Sequence, residues 1–182
     1  NYRALLPRVR VQRNGQNGWS QWAGYHRTTQ YLHQIGSFNI SLPFELWVPT
    51  TGKVPPEQVW QLSAGLGWQK HGWGFQAEGY YKRFDRVLTF LTSNDALVTG
   101  GAEDASGWED RIAAGVGESR GIEFSIEKFT GSTTGNIAYT LSNTTRRFPE
   151  INSGQTFPFR YDRLHDLKIT VRQRIASWLD AD

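Results

Sequence analysis

Apolar and polar residues alternate strictly along residues 59–83. One face of an extended chain there carries Trp60, Leu62, Ala64, Leu66 and Trp68. Polar residues and glycines occupy the other face. A period of two predicts a β-strand with one face in an apolar medium. The alternation resumes after a short turn at 70–74, so the stretch predicts a β-hairpin of two strands of roughly ten residues each.

The same pattern predicts seven strands along the chain. Besides the two strands of 59–83, they cover 5–13, 19–32, 121–129, 136–145 and 164–177, and 86–91 extends the fourth strand. Residues 35–58 contain four prolines, which exclude a regular helix or a central strand there. Residues 92–119 and 146–163 predict two further long loops, and 178–182 predicts the start of another turn.

The connections between these strands alternate in length, beginning with a short one. In an up-and-down antiparallel sheet every second connection lies at the same end, so all short turns lie at one end and all long loops at the other. Outer-membrane barrels show this asymmetry, whereas a soluble sandwich has no reason to sort its loops. The pattern predicts an all-β, antiparallel up-and-down transmembrane β-barrel, present in part as about seven strands of a larger barrel.

Tryptophans mark both ends of the apolar face. Trp60 and Trp68 are eight residues apart, which is roughly 20 Å along the axis of a barrel with tilted strands. The apolar band of such barrels is about 25 Å tall and is edged by aromatic residues. We therefore expect Trp60, Trp68 and Trp73 to face lipid at the interfaces, with Trp60 at the long-loop end and Trp68 at the short-turn end.

The opposite face carries charges of both signs, among them Arg10, Glu78, Lys82, Glu123 and Arg172. Such a row fits the hydrated lumen of a barrel, or the outer face of a soluble protein. Seven strands leave two open edges, which neither water nor lipid tolerates well. The predicted partners are therefore membrane lipid and either the rest of the same barrel or other outer-membrane subunits.

Composition narrows the alternatives. Only 38% of the 182 residues are hydrophobic and the mean hydropathy is −0.55, so a helical membrane protein is excluded. The net charge of +3 is small and no Lys/Arg block stands out, which argues against a nucleic-acid partner. The absence of cysteine excludes thiolate chemistry and a disulfide scaffold.

Several motifs spread over nearly the whole chain resemble one known family. They are Gln30-Tyr31-Leu32-His33, Glu78-Gly79-Tyr80-Tyr81-Lys82, Gly115-Val116-Gly117-Glu118-Ser119-Arg120-Gly121-Ile122-Glu123, Phe157-Pro158 and Tyr161-Asp162-Arg163-Leu164-His165-Asp166. The chain resembles the TonB-dependent outer-membrane receptors of Bacteroidota. Arg120 stands where an aromatic residue is more usual, and Leu164 stands where a second arginine is.

The resemblance implies a large barrel of about 22 strands with a plug in its lumen. It also implies the outer membrane of a Gram-negative bacterium, energy from TonB and active import of a scarce ligand. Residues 1–182 then form one segment from the later half of the barrel wall. The plug, the remaining strands and the N-terminal region that contacts TonB are not within it.

Two groups of residues are candidates for a site. The run Tyr161, Asp162, Arg163, His165 and Asp166 could suggest acid–base chemistry, but no nucleophile motif or second acid accompanies it. We interpret it as a structural network that fixes where a loop becomes a strand. The four histidines match no metal spacing, so the sequence predicts no enzyme, no metal and no cofactor.

Candidates for ligand contact lie in the long loops, because aromatic and arginine side chains are frequent anchors in binding sites. They are Trp47, Trp108, Arg147 and Arg160.

Three functions remain open from the sequence. The first is import of a nutrient or a metal chelate through an outer-membrane receptor. The second is a barrel subunit without transport, which serves as a docking platform in an outer-membrane assembly. The third is a soluble carbohydrate-binding β-sandwich, which would fold without detergent.

Overall fold

The computed structural model describes residues 2–36, 45–91, 109–176 and 179–181. These residues form eleven strands: β1 (Arg8–Asn14), β2 (Trp19–Gln30), β3 (Leu32–Gly36), β4 (Glu45–Pro49), β5 (Glu57–Lys70), β6 (Trp73–Phe90), β7 (Ile112–Lys128), β8 (Thr133–Arg147), β9 (Phe157–Pro158), β10 (His165–Ala176) and β11 (Leu179–Ala181).

Most of the strands belong to one antiparallel sheet. Its order is β1-β2-β5-β6-β7-β8-β10-β11, and the short β9 also pairs with β8. The sheet does not close on itself within the described residues. The prediction of an all-β, up-and-down, partial barrel is therefore confirmed. The segment predicted as the start of a turn after β10 contains a further strand, β11, which pairs with β10.

Tight turns join the strands at one end of the sheet, which we call the short-turn end. Between β5 and β6 the two turn residues, His71 and Gly72, both have positive φ angles, of 53° and 79°. This backbone fits the right-handed twist of a hairpin and favours glycine. Gly18, in the turn between β1 and β2, has a φ of 84°, and a Cβ atom there would lie 2.1 Å from the Gln69 carbonyl oxygen. This turn is therefore packed against the end of β5. The opposite end of the sheet is the long-loop end.

Strand β7 is longer than the sequence pattern indicates. Residues 92–119 were expected to form a loop, but β7 begins at Ile112 and pairs with β6 from there onward. Glycines interrupt the alternation because bulky rings lie over them. A Cβ atom on Gly115 would lie 2.5 Å from the Phe148 ring, and one on Gly117 would lie 3.4 Å from Phe84. The prediction of a loop over 112–119 was wrong for this reason.

A second, two-stranded sheet forms within the proline-rich segment. Strands β3 and β4 pair from Leu32–Pro49 to Gly36–Glu45, and we call this pair the outer hairpin. Ile35 and Val48 are buried together with Val54, Leu88 and Phe90 in one apolar cluster. The outer hairpin therefore covers the long-loop end of β6. The prolines bound this hairpin, since Pro49 ends β4 and two prolines precede β5.

A β-bulge at Arg86 decides which face of β6 the hairpin covers. Asp85 pairs with Val116 and Val87 pairs with Gly115, so Arg86 is left out of the ladder, and its φ is 61°. One extra residue moves every later side chain of the strand to the opposite face. As a result Val87 packs against Phe148 on the inner face, whereas Leu88 joins the outer hairpin.

The outer hairpin should loosen when the pH falls. His33 is 2% exposed; its Nε2 lies 3.1 Å from the Thr50 hydroxyl, and its Nδ1 has no hydrogen-bond partner in the described part of the chain. Burial lowers the pKa of His33 below the value of 6.5 that it has when unfolded. The hairpin is therefore fully stable above pH 6.5 and loses stability as the pH falls through that value, because the unfolded form binds the proton more readily.

Hydrogen exchange of the β3 and β4 amides should therefore speed up between pH 7.5 and pH 5.5 by more than the intrinsic rates do. His33→Gln should remove this extra dependence. His71→Gln, at the exposed turn between β5 and β6, is the matched control and should leave the dependence unchanged. A dependence that persists in His33→Gln would refute the assignment.

Candidate functional site

Side chains on one face of the sheet form a continuous apolar surface. The register places Leu62 level with Tyr81, Gly79 with Ile122, Phe124 with Tyr139 and Ile137 with Ile169. Many of these side chains are exposed, for example Leu62 at 50% and Ile169 at 61%. Soluble monomers rarely leave so large an apolar surface in contact with water. We call it the outer face, and its apolar part the band.

The band runs obliquely across the strands. It is centred on Ala64 in β5, where it runs from Trp60 to Trp68, and on Val171 in β10, where it runs from Leu167 to Ile175. Through β8, β7 and β6 the register places Val171 level with Lys70. The centre has thus shifted by six residues over four strand-to-strand steps. With about 3.3 Å per residue and about 4.8 Å per strand, the strands are tilted by about 45° to the normal of the band, a tilt typical of membrane barrels.

The three tryptophans predicted at the interfaces lie at the two ends of this band. Trp60 lies at the long-loop end, and its ring centroid is 5.4 Å from that of Tyr81. Trp68 lies at the short-turn end, level with Trp19 on the neighbouring strand. Trp73 is 46% exposed, and the Lys128 ammonium lies 5.8 Å from the centroid of its ring. Neither Trp60 nor Trp68 is buried in an apolar core cluster of the described residues.

The inner face is polar and is lined by aromatic rings that lie on glycines. The Trp22 indole covers Gly65, where a Cβ atom would lie 2.3 Å from the ring, and its Nε1 donates to a Glu78 carboxylate oxygen at 3.3 Å. Tyr80 covers Gly121 in the same way, and the Lys82 ammonium lies 4.6 Å from the Tyr80 ring centroid. Towards the short-turn end this face forms an open cavity of about 590 Å³.

A second bulge shapes the inner face at the long-loop end. We call the chain that leads from β9 to β10 the returning chain. Between the Thr145–Pro158 pair and the Leu141–His165 pair, β8 spans four residues whereas the returning chain spans seven. Three extra residues are therefore accommodated around 160–163, and we call this segment the loop bulge. Bulges of this kind re-aim side chains and occur often beside functional sites.

Asp162 fills the gap that the loop bulge leaves in the hydrogen-bond ladder. Its carboxylate accepts the Thr144 amide at 2.9 Å and the Asn143 side-chain amide at 3.3 Å. Backbone bonds from Phe159 to Thr144 and from Ser142 to Leu164 close the ladder on either side. The carboxylate thus replaces a missing carbonyl, which is why an acid at this position allows the loop to rejoin the sheet.

Asp162→Ala should destabilise the loop bulge by about 1–3 kcal/mol, because the Thr144 amide would lose its acceptor. Asp162→Asn should destabilise the loop bulge less, since the side-chain amide oxygen of asparagine can still accept a hydrogen bond from the Thr144 amide. The amide exchange rate of Thr144 reports the effect directly. Asp166→Ala is the control, because Asp166 makes only a partly exposed ion pair with Lys168 at 3.2 Å. Equal losses in Asp162→Ala and Asp166→Ala would contradict this role.

The remaining members of the predicted network contribute differently. His165 Nδ1 lies 2.8 Å from the Tyr139 hydroxyl on the outer face. The Arg163 carbonyl, rather than its side chain, accepts the Ser142 hydroxyl at 3.2 Å. The Tyr161 ring packs edge-on against Phe159 and is 67% exposed. The five residues therefore do not converge on one centre that could perform acid–base chemistry.

Beneath the loop bulge lies a cavity of about 360 Å³ on the inner face, which we call the bulge cavity. Its lining includes three cationic side chains and a row of hydroxyl groups from β7 and β8. The cations are Lys82, Arg146 and Arg163, and the hydroxyl residues are Ser119, Thr140, Ser142, Thr144 and Thr145. Two aromatic side chains, Phe159 and Tyr161, complete one wall. The arrangement offers positive charge, hydrogen-bond donors and ring faces at one place.

Arg146 is a partly buried cation of this cavity. Its guanidinium carbon lies 3.8 Å from the centroid of the Phe159 ring. Burial lowers the pKa of Arg146, and the Glu57 carboxylate partly offsets this. Burial likewise raises the pKa of Glu57, and the charge of Arg146 opposes that rise. Two half-buried groups of opposite charge thus stabilise one another across the inner face.

Of the four residues predicted to contact ligand, the three that the structure describes are not brought together. Trp47 is 57% exposed on the outer hairpin, on the other side of the sheet from the bulge cavity. Arg147 is exposed and pairs with Val116, which places it on the outer face. Arg160 is exposed and stacks on Tyr161, with 4.8 Å from its guanidinium carbon to the ring centroid. Trp108 lies outside the described residues.

Arg146, which was not among the predicted site residues, lines the cavity, whereas the predicted Arg147 does not. The alternation of β8 could have identified it, since Thr140, Ser142 and Thr144 continue at the same spacing to Arg146. Lys82 was already assigned to the polar face. No group of three or more potential metal ligands occurs in the part of the chain that the structure describes. No helix among the described residues has the length and apolar character needed to cross a membrane.

A single tilted sheet with an exposed apolar band on one face and a polar, partly hollow surface on the other defines a wall segment of a transmembrane β-barrel. Comparison with protein families agrees with this class. The family described as "TonB dependent receptor-like, beta-barrel" matches residues 1–179, so the chain belongs to this family. Comparisons with curated proteins and with solved structures gave no match.

Proposed function

We propose that this chain forms part of the wall of an outer-membrane receptor that imports a nutrient or a metal chelate with energy from TonB. The family supports a receptor or transporter of the outer membrane of Gram-negative bacteria. The observation that carries the proposal is the contrast between the two faces of the sheet. The outer face carries the oblique band, and the inner face carries polar groups and a cavity near the long-loop end.

In this proposal the long-loop end faces the outside of the cell, as long loops do in outer-membrane barrels. Ligand enters from that end, and the wall supplies contacts rather than chemistry. The plug and the TonB-contacting region belong to the rest of the receptor, with an N-terminal region as the contact to TonB. The motifs shared with receptors of Bacteroidota support an origin in that phylum.

Uptake by whole cells tests the proposal. Deleting the full-length gene should abolish growth on one nutrient or chelated metal at limiting concentration, and the intact gene should restore it. An uncoupler of the proton gradient should block the uptake without removing the receptor from the outer membrane. Uptake that persists with the gradient collapsed would refute energised import.

One observation favours the second candidate function, a docking platform without transport. The outer hairpin exposes Trp47 at 57% and Leu32 at 51% away from the apolar cluster beneath it. Such a surface fits contact with another outer-membrane subunit. If the full-length chain lacks a plug and a TonB-contacting region, and cells without it retain all uptake, the docking role is favoured over import.

A further inference from the structure

We propose that the bulge cavity binds a small organic anion, that is, a carboxylate, sulfate or phosphate ester with a ring-sized uncharged part. The inference rests on the proposed import function for its biological meaning, but it concerns binding alone. It is carried by the charges, the hydroxyl groups and the rings that meet at one place on the inner face.

The cavity lining carries more cationic than acidic side chains. Lys82, Arg146 and Arg163 contribute three positive charges, and Asp162 and Asp166 contribute two negative ones. Both carboxylates are already engaged, Asp162 by the Thr144 and Asn143 amides and Asp166 by the Lys168 ammonium. Within the described residues, neither Lys82 nor Arg163 forms a salt bridge. The cavity therefore has two cations that an incoming anion can pair with, while its two carboxylates already accept hydrogen bonds or an ion pair.

Glu78 and Glu123 of the inner face are register partners further towards the short-turn end. Glu123 is also level with Thr140 of the lining, but neither glutamate lines the cavity itself. Glu78 also accepts a hydrogen bond from the Trp22 indole. Glu57 partly offsets the charge of Arg146, whereas Lys82 and Arg163 line the cavity and form no salt bridge within the described residues.

Hydroxyl groups in the cavity lining supply hydrogen-bond donors. The hydroxyl groups of Ser119 and Thr144 lie 2.9 Å apart and share one hydrogen bond. Because each hydroxyl carries one proton, one of the two protons remains for a further acceptor. Both residues line the cavity, as does Thr140. An anionic oxygen could thus accept from a hydroxyl group and a cation together, and bonds to charged groups are the stronger ones.

Aromatic side chains form one wall of the cavity, and its size limits what it can hold. Phe159 is held by Arg146 on its face and by Tyr161 at its edge, where the ring centroids are 5.4 Å apart. A fixed ring beside a cation suits a ligand that has both an uncharged ring and an anionic group. The volume of about 360 Å³ is at the small end of ligand pockets. It accommodates a compact molecule.

Matched ligand pairs test the anion requirement. Binding to the full-length receptor, purified in detergent, is measured by calorimetry with glucuronate against glucose and with benzoate against benzyl alcohol. Inorganic phosphate is a third probe. At least one organic anion should bind, its neutral partner should bind more weakly, and added salt should weaken the binding of the anion.

Lys82→Gln and Arg163→Gln should each weaken anion binding about tenfold or more, because each removes a charged partner. Arg163→Gln keeps the carbonyl that holds the loop bulge, and Lys82→Arg should retain the affinity. Lys70→Gln removes the same charge at the short-turn end and is the matched control; it should have no effect.

Three results would overturn the inference. The neutral partners could bind as tightly as the anions, or Lys70→Gln could lose as much anion affinity as Lys82→Gln and Arg163→Gln. The third such result is no binding of any organic anion, even if phosphate binds. These results are separable from a failure of the proposed function. Anion binding in detergent without uptake by cells would refute import and leave the site intact. Uptake that is unaffected by Lys82→Gln would leave import intact and remove this cavity from it.

Discussion

Replacing Phe124 by lysine should lower the free energy of unfolding of the receptor in a bilayer by about 2–4 kcal/mol, which is the cost of placing a cationic side chain at the middle of the lipid-facing wall of a barrel. Phe124 lies at the centre of the band on β7, between Ile122 and Ile126. It is 41% exposed, so the added ammonium would point into hydrocarbon rather than into protein. Denaturant unfolding in lipid vesicles measures the change.

The matched control is the next residue along the strand. Ser125 pairs with Gln76 on the inner face and lines the wide cavity near the short-turn end. Ser125→Lys therefore adds the same charge on the same strand, but in the hydrated lumen, and should cost less than about 1 kcal/mol. Equal costs at the two positions would mean that both faces contact the same medium. That result would refute the assignment of the outer face to lipid.

Alternation alone predicted most of the main sheet, because each strand separates two media of different polarity. The seven predicted strands correspond to β1, β2, β5, β6, β7, β8 and β10. Their shared faces also follow from a period of two. Along β5 from Trp60 to Trp68 the two media are lipid and water. There the polarity of each residue indicates the face of the sheet on which it lies.

The alternation of apolar and polar residues does not predict the sheet beyond the band at the long-loop end of β6, where protein covers both faces. At the long-loop end of β6 the outer face packs under the outer hairpin, and the inner face packs under Phe148. No polar face remains there to give an alternation. The paired strands β3 and β4 were therefore missed. Strand β7 between Ile112 and Ser119 was mistaken for a loop because glycines take the place of larger residues where rings cover its inner face.

The candidate site depends on two bulges that a single sequence does not reveal. Leaving Arg86 out of the ladder reverses the faces of all later residues of β6. The three extra residues of the loop bulge aim Tyr161 and Arg163 at the same cavity as Lys82, which is about 80 positions away in the chain. The sequence shows that the individual residues are polar. Whether they meet at one cavity depends on the strand register, which is a property of the folded sheet.

Phe148 links these features, and its removal is the second change for which we expect a large effect. Its side chain is 1% exposed and packs with Val87 and Ala113 on the inner face. Its ring fills the space above Gly115, and it stacks on Phe157 with the ring centroids 6.2 Å apart. Phe157 belongs to β9, which pairs with β8 directly before the loop bulge. The ring therefore positions the bulge cavity together with the Asp162 bonds.

Phe148→Ala should destabilise the long-loop end by about 3–5 kcal/mol, because it leaves a cavity between β7 and the returning chain that Gly115 has no side chain to fill. The loss should be local. Amides of β9 and of the end of β8 should exchange faster, and protease should cut within 149–158, while the short-turn end stays protected. Phe129→Ala is the control, since Phe129 is 40% exposed beside the turn between β7 and β8. If Phe148→Ala leaves the exchange of β9 unchanged, the ring does not hold the returning chain, and the bulge cavity must be positioned by the Asp162 bonds alone.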